Sequence, residues 1–251
     1  MTVARAIEQL CPGYPLVYFG DIARTPYGSK SRETIRRYAV NNTEFLLDQG
    51  AKLIVIACNS AASAALDELT TRFSVPILDV INPAVRQAAH CSASGRIGVI
   101  GTRATIKSGV YEQALQQLRP DCTVHSQPCP LLVPLVEEGW LGKRETKMIL
   151  RRYLHPLRRA QIDTLVLGCT HYPLLAPLIA PRIGRRVMLI DSSVEVARTV
   201  ALFLDNHPEL ARELQETPRD SRFFVSDLTD TANVLAKKIF GRAITLEKVN
   251  V

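Results

Sequence analysis

Eight short runs rich in β-branched residues and leucine recur along the 251-residue chain, with helix-period stretches in most of the intervals between them. The runs cover residues 14–20, 52–57, 75–80, 96–101, 123–129, 163–168, 186–191 and 222–226. Several, such as KLIVIA and DTLVLG, are continuously apolar, the pattern of strands buried on both faces. Stretches 32–50, 60–73, 105–118 and 193–206 have helical spacing, and the first closes on Gly50 in the position that follows a helix. This alternation predicts an α/β fold with parallel sheets covered by helices.

The chain also resembles itself. LIVIACNSAA (53–62) and TLVLGCTHYP (164–173) both run from a strand into a small residue, a cysteine and polar groups. Cys58 precedes Asp79 by 21 positions, and Cys169 precedes Asp191 by 22. The repeat predicts two similar doubly wound domains with parallel sheets, related by a pseudo-two-fold axis. Residues 1–81 plus 191–251 would form the first and residues 82–190 the second, with a boundary near NPAV (82–85). Open α/β sheets bind ligands at the carboxyl ends of their strands, so the two cysteines would face each other across an active-site cleft.

Asn59 and Ser60 on one wall, and Thr170 and His171 on the other, would then sit at helix N-termini. Free backbone N–H groups there favour a carboxylate and draw a thiol pKa from ~8.5 toward neutrality. Opposed thiols suit a two-base reaction, in which one removes a proton and the other returns one from the opposite face. Cys11, Cys91, Cys122 and Cys129 have no such setting and are expected to be inert core residues. Six scattered cysteines, with no CxxC pair and no HxxxH spacing, argue against a disulfide scaffold and a structural zinc site.

Charged residues at 22% and hydrophobic ones at 47% indicate a globular chain. No apolar run approaches the ~20 residues of a membrane helix, and the N-terminus lacks the apolar core of a secretory signal, so a cytoplasmic location is expected. Net charge is +7, and the densest basic segment, 143–161, contains Lys143, Arg144, Lys147, Arg151, Arg152, Arg158 and Arg159. Met148, Leu150, Leu154 and Leu157 form an apolar stripe at helical spacing within it. A surface helix with a solvated basic face is expected, with attraction of anionic partners as the alternative. GTRAT (101–105) opens a helix after a strand and could offer Thr102 or Thr105 to a ligand, but it reads equally as a helix cap.

The segments VYFGDIARTPYGSKS (17–31), IACNSAASAALD (56–67), RIGVIGTRATIKSGVY (96–111), PLVEEGW (134–140) and LGCTHYPLL (167–175) together resemble the glutamate racemases of the aspartate/glutamate racemase superfamily. The resemblance implies interconversion of L- and D-glutamate without a cofactor or metal, supplying D-glutamate for peptidoglycan. Cys58 and Cys169 would be the acid/base thiols, with Cys169 removing the proton in the L-to-D direction and Cys58 returning one. Tyr27 and Gly28 fall on a substrate-contacting turn, and Asn59, Ser60, Thr170 and His171 on positions that bind the carboxylate and ammonium groups. Ser60 stands where threonine is usual. His171 and Glu137 match groups that assist the thiols. A homodimer is implied, with no membrane or nucleic-acid partner.

One departure stands out. Members of the family open with a strand and an Asp-Ser-Gly loop ahead of the segment matched here by MTVARAI, which leads to the expectation of a start site upstream or a shortened chain. Two other readings compete. A catalytically impaired homologue could bind glutamate or a protein such as DNA gyrase, and aspartate racemisation is the competing enzyme activity.

Overall fold

The computed structural model describes residues 1–216 and 220–251. Its strands are β1 (Val17–Gly20), β2 (Ile54–Ile56), β3 (Ile77–Asp79), β4 (Arg96–Gly101), β5 (Thr123–Pro128), β6 (Thr164–Gly168), β7 (Met188–Asp191), β8 (Arg222–Val225) and β9 (Leu246–Lys248). The helices are α1 (Thr2–Leu10), α2 (Arg32–Asp48), α3 (Asn59–Arg72), α4 (Ile81–Cys91), α5 (Arg103–Lys107), α6 (Val110–Leu118), α7 (Leu132–Glu137), α8 (Arg144–Arg159), α9 (Ala176–Ile183), α10 (Ser192–Asp205), α11 (Pro208–Glu216) and α12 (Asp230–Phe240). Every strand pairing is parallel, as expected for an α/β chain.

One sheet has the order β5–β4–β6–β7. Its central strands β4 and β6 are buried almost throughout, and Gly101 pairs with Gly168 at their carboxyl ends. Helix α8 covers this sheet with Thr146, Leu150, Leu154 and Leu157, leaving its cations in solvent. Met148, expected on that apolar stripe, is instead exposed; the buried position one turn before Leu150 belongs to Thr146, whose hydroxyl donates to Trp140 O at 2.6 Å. None of the helices among the described residues is long and apolar enough to cross a membrane.

The remaining strands form two smaller sheets, β1–β8–β9 and β2–β3. Leu16 O and Gly20 O accept from Arg222 N and Ser226 N of the β8 side. Strand alternation therefore turns the peptide groups of Val17 and Phe19 to the other edge of β1. Ile54 N–H likewise donates to Pro76 O, which turns the peptide group of Val55 away from β3. Consecutive residues Tyr18, Phe19 and Gly20, and Ile54, Val55 and Ile56, line one cleft. Neighbouring residues point to opposite faces of a strand, so the cleft meets both strands along their edges. Phe45 of α2 packs on Phe19 and Phe224, whereas Phe240 of α12 packs on Phe223, so helices cover both faces of the β1–β8–β9 sheet.

Local chemistry explains where elements differ from the sequence expectation. The stretch 105–118 is two helices, because Gly109 adopts φ 70°, a left-handed conformation that interrupts helical hydrogen bonding. NPAV lies in the first turns of α4. β9, only three residues long, lies outside the strand runs read from the sequence.

Candidate active site

β2 ends at Ile56, and Cys58 takes the N-cap position of α3 in extended conformation. The backbone N–H groups of Ser60 and Ala61 and the Ser60 hydroxyl lie around its sulfur. Cys169 follows β6 in the same way, with the N–H groups of His171 and Tyr172 near its sulfur and the latter donating to Cys169 O at 3.0 Å, at the start of a 3-10 turn (Tyr172–Leu175) rather than an α-helix. Contrary to the expectation from these positions, neither thiol is acidified. Burial raises the Cys58 pKa despite the three donors. It pushes Cys169 up to about 12, with Cys58 and Glu137 adding to the rise against the two N–H groups. In the ligand-free protein both are neutral thiols, because burial outweighs a few helix-end dipoles.

His171 stands beside Cys169, its Nδ1 3.9 Å from the sulfur. On the far side its Nε2 is 3.2 Å from Glu137 Oε1 at the end of α7. The hydroxyl of Ser60 meets those of Thr102 and Thr105 at 2.8 and 3.2 Å, and Thr102 and Thr105 are 3.1 Å apart. Thr102 also caps α5 by accepting from Thr105 N–H at 3.2 Å. Thr170 offers its carbonyl to the Thr2 hydroxyl at 2.8 Å.

Tyr27 is buried, and its hydroxyl is held by Asp21 and Asn42. It donates to Asp21 and accepts from Asn42 Nδ2 at 3.1 Å. Arg24 completes this ring by donating to Asp21 Oδ1 and Asn42 Oδ1, each at 2.8 Å. Burial and the Asp21 carboxylate raise the Tyr27 pKa. The turn is thereby fixed from beneath and presents Gly28, where a Cβ would lie 2.5 Å from Thr102 Cβ.

Tyr27, Gly28, Cys58, Asn59, Ser60, Glu137, Cys169, Thr170 and His171 all line one cleft of about 520 Å3. Thr102 and Arg103 line it too. GTRAT read equally as a ligand contact through Thr102 or Thr105 and as a cap, and Thr102 serves as both cap and cleft wall. Asp21 and Asn42 escaped notice because their role appears only when α2 closes over the loop after β1.

Two strand-end thiols, backbone and hydroxyl donors between them, and a histidine–carboxylate pair behind one thiol make a site for moving a proton on and off a small anionic molecule. The class is an α/β enzyme with two strand-end thiols in its cleft. The chain belongs to the Asp/Glu/Hydantoin racemase family, whose description matches residues 1–200. It is 46% identical over 228 residues to a glutamate racemase of Geobacter metallireducens, covering 91% of this chain and 84% of that protein. A glutamate racemase isoform from Bacillus anthracis superposes with a TM-score of 0.93 at 35% identity, covering 100% of this chain and 93% of that one. The Francisella tularensis glutamate racemase in complex with D-glutamate superposes with a TM-score of 0.89 at 33% identity, over 99% of this chain and 92% of that one.

Proposed function

We propose that the protein is a glutamate racemase, interconverting L- and D-glutamate by proton transfer between the α-carbon and its two cleft thiols. The observation that carries this reading is the placement of Cys58 and Cys169 after β2 and β6, on walls of a single cleft. Glutamate brings two carboxylates, for which the cleft holds the Ser60 and Thr102 hydroxyls and the Arg103 guanidinium. Its ammonium group adds a positive charge near the thiols, which favours the thiolate. In the L-to-D direction Cys169, backed by His171, removes the α-proton, and Cys58 delivers one to the opposite face. The roles exchange in reverse.

D-glutamate for peptidoglycan is the use the family resemblance implies, in the cytoplasm and as a homodimer, which light scattering would weigh against the 27.8 kDa chain. Incubating L-glutamate with the protein in D2O tests the chemistry. Loss of the α-proton NMR signal with appearance of D-glutamate is the expected result. Binding without exchange would overturn the enzyme reading, and faster exchange of aspartate would overturn the substrate.

A further inference from the structure

Tyr111, on α6, is 2% exposed and touches neither thiol, yet it holds the chain neighbours of both. Its hydroxyl donates to Asn59 Oδ1 at 2.7 Å, and Asn59 directly follows Cys58. Its ring packs on Gly168, which directly precedes Cys169: a Cβ at Gly168 would lie 3.2 Å from Tyr111 Cε2 and 2.8 Å from Ile100 O. A second link runs beside the first. Asn59 Nδ2 donates to Ser192 Oγ at 3.4 Å, and Ser192 Oγ donates to Leu167 O in β6 at 3.1 Å. Asn59 is itself 2% exposed, so both ends of its amide are committed to these buried partners.

We infer that Tyr111 is a positioning residue that sets the alignment of the two thiols by fixing Asn59 on the Cys58 side against Gly168 on the Cys169 side. This rests on the racemase reading of the cleft. Transfer from one thiol to the α-carbon and from the α-carbon to the other needs both sulfurs on one line through that carbon. Displacements of about 1 Å in such a geometry cost on the order of a hundredfold in rate. The phenol is suited to the task because its ring fixes one contact by packing and its hydroxyl fixes the other by direction. Phenylalanine keeps the first and loses the second.

Tyr111→Phe separates alignment from folding. In D2O the carbanion formed from L-glutamate is either labelled on the far face, giving D-glutamate, or relabelled on the near face, giving deuterated L-glutamate. The variant should lose roughly tenfold or more in kcat with KM within about threefold, and the share of label recovered in L-glutamate should rise. A stability defect alone lowers both products together and leaves their ratio unchanged. Ser192→Ala, which cuts the parallel link, should shift the ratio the same way and stands in if Tyr111→Phe fails to fold.

A readout without substrate keeps the inference distinct from the racemase reading. Iodoacetamide labelling followed by mass spectrometry gives the relative alkylation of Cys58 and Cys169, which should differ between the parent and either variant. A parent that neither exchanges nor inverts glutamate overturns the reading of the reaction, and the alkylation ratio then decides the positioning role alone. Parental partitioning and parental alkylation ratios in both variants would overturn the inference.

Discussion

Glu137 and His171 pair beside Cys169: Glu137 Oε1 is 3.2 Å from His171 Nε2, while the other ring nitrogen faces Cys169 Sγ at 3.9 Å. The carboxylate orients the imidazole and, lying on the Cys169 side alone, makes the two thiols unequal. Glu137→Gln keeps the shape and removes the charge. It should lower kcat/KM about tenfold, and by the same factor from either enantiomer, because L- and D-glutamate have equal energies in water. The asymmetry will appear in the primary isotope effect. α-Deuterated L-glutamate should show a larger increase than the D-enantiomer, since the impaired Cys169 takes its proton. An increase confined to D-glutamate would reverse the assignment of the thiols.

Desolvation of both thiols, Cys169 buried and Cys58 half-buried, sets the pH behaviour of the protein. Cys169 is shifted from the ordinary value of 9.0 up to about 12, and Cys58 is raised as well. Alkylation of Cys169 should therefore climb about tenfold per pH unit from pH 7 to 10 without a plateau, as expected when thiolate is the reactive form. A plateau below pH 9 would contradict the raised pKa. Stability has a matching dependence. Above pH 9.0 the unfolded chain releases this proton while the folded protein keeps it up to about 12. The unfolded state then binds fewer protons, and stability falls as pH rises through that window. Urea midpoints at pH 8 and 10 check the sign.

Replacing either cysteine with alanine should abolish racemisation, since each thiol serves one face of the α-carbon. Loss of at least about a hundredfold in kcat is expected for removal of a positioned acid or base. The check is polarimetry in both directions. Comparable racemisation by Cys58→Ala would sink the two-thiol mechanism.

Much of the site was legible because its chemistry is local. CNS and CTH each directly follow a strand, so Cys58, Asn59, Ser60, Cys169, Thr170 and His171 could be placed before any tertiary contact was known. The α/β class was legible for the same reason, from runs such as RIGVIG that became β4 over the full predicted span. What the sequence hid is non-local. Thr102 belongs to the cleft because β4 lies beside β6, and Asp21 fixes Tyr27 because Arg24 and Asn42 converge on that loop. The thiol pKa shifts were misjudged because helix-end position is visible in sequence whereas depth of burial is not.

Gly28 is the point where the turn after β1 touches the α5 cap. A Cβ would come within 2.5 Å of Thr102 Cβ and 2.8 Å of its Cγ2. Thr102 cannot rotate freely, because its hydroxyl holds Ser60 and Thr105 N–H. Gly28→Ala should cost about 1–3 kcal/mol, the usual scale of overpacking, and raise KM for glutamate because Ser60 and Thr102 shift together. Chemical denaturation and steady-state kinetics measure the two effects. A wild-type denaturation midpoint in the variant would show that the loop yields without cost.

The part of the cleft lined by β1 and β2 offers a sharper test of the two smaller sheets. Val17, Phe19 and Val55 turn their peptide groups into it, whereas Leu16, Gly20 and Ile54 are engaged on the opposite edges. Backbone groups facing an apolar cleft gain little from hydrogen bonding and open easily to water. Amide exchange resolved by residue should find Phe19 and Val55 fast, and Tyr18 and Ile56, on the paired edges, slow. Equal protection on both edges of β1 would show that the cleft-facing amides are held as firmly as the paired ones.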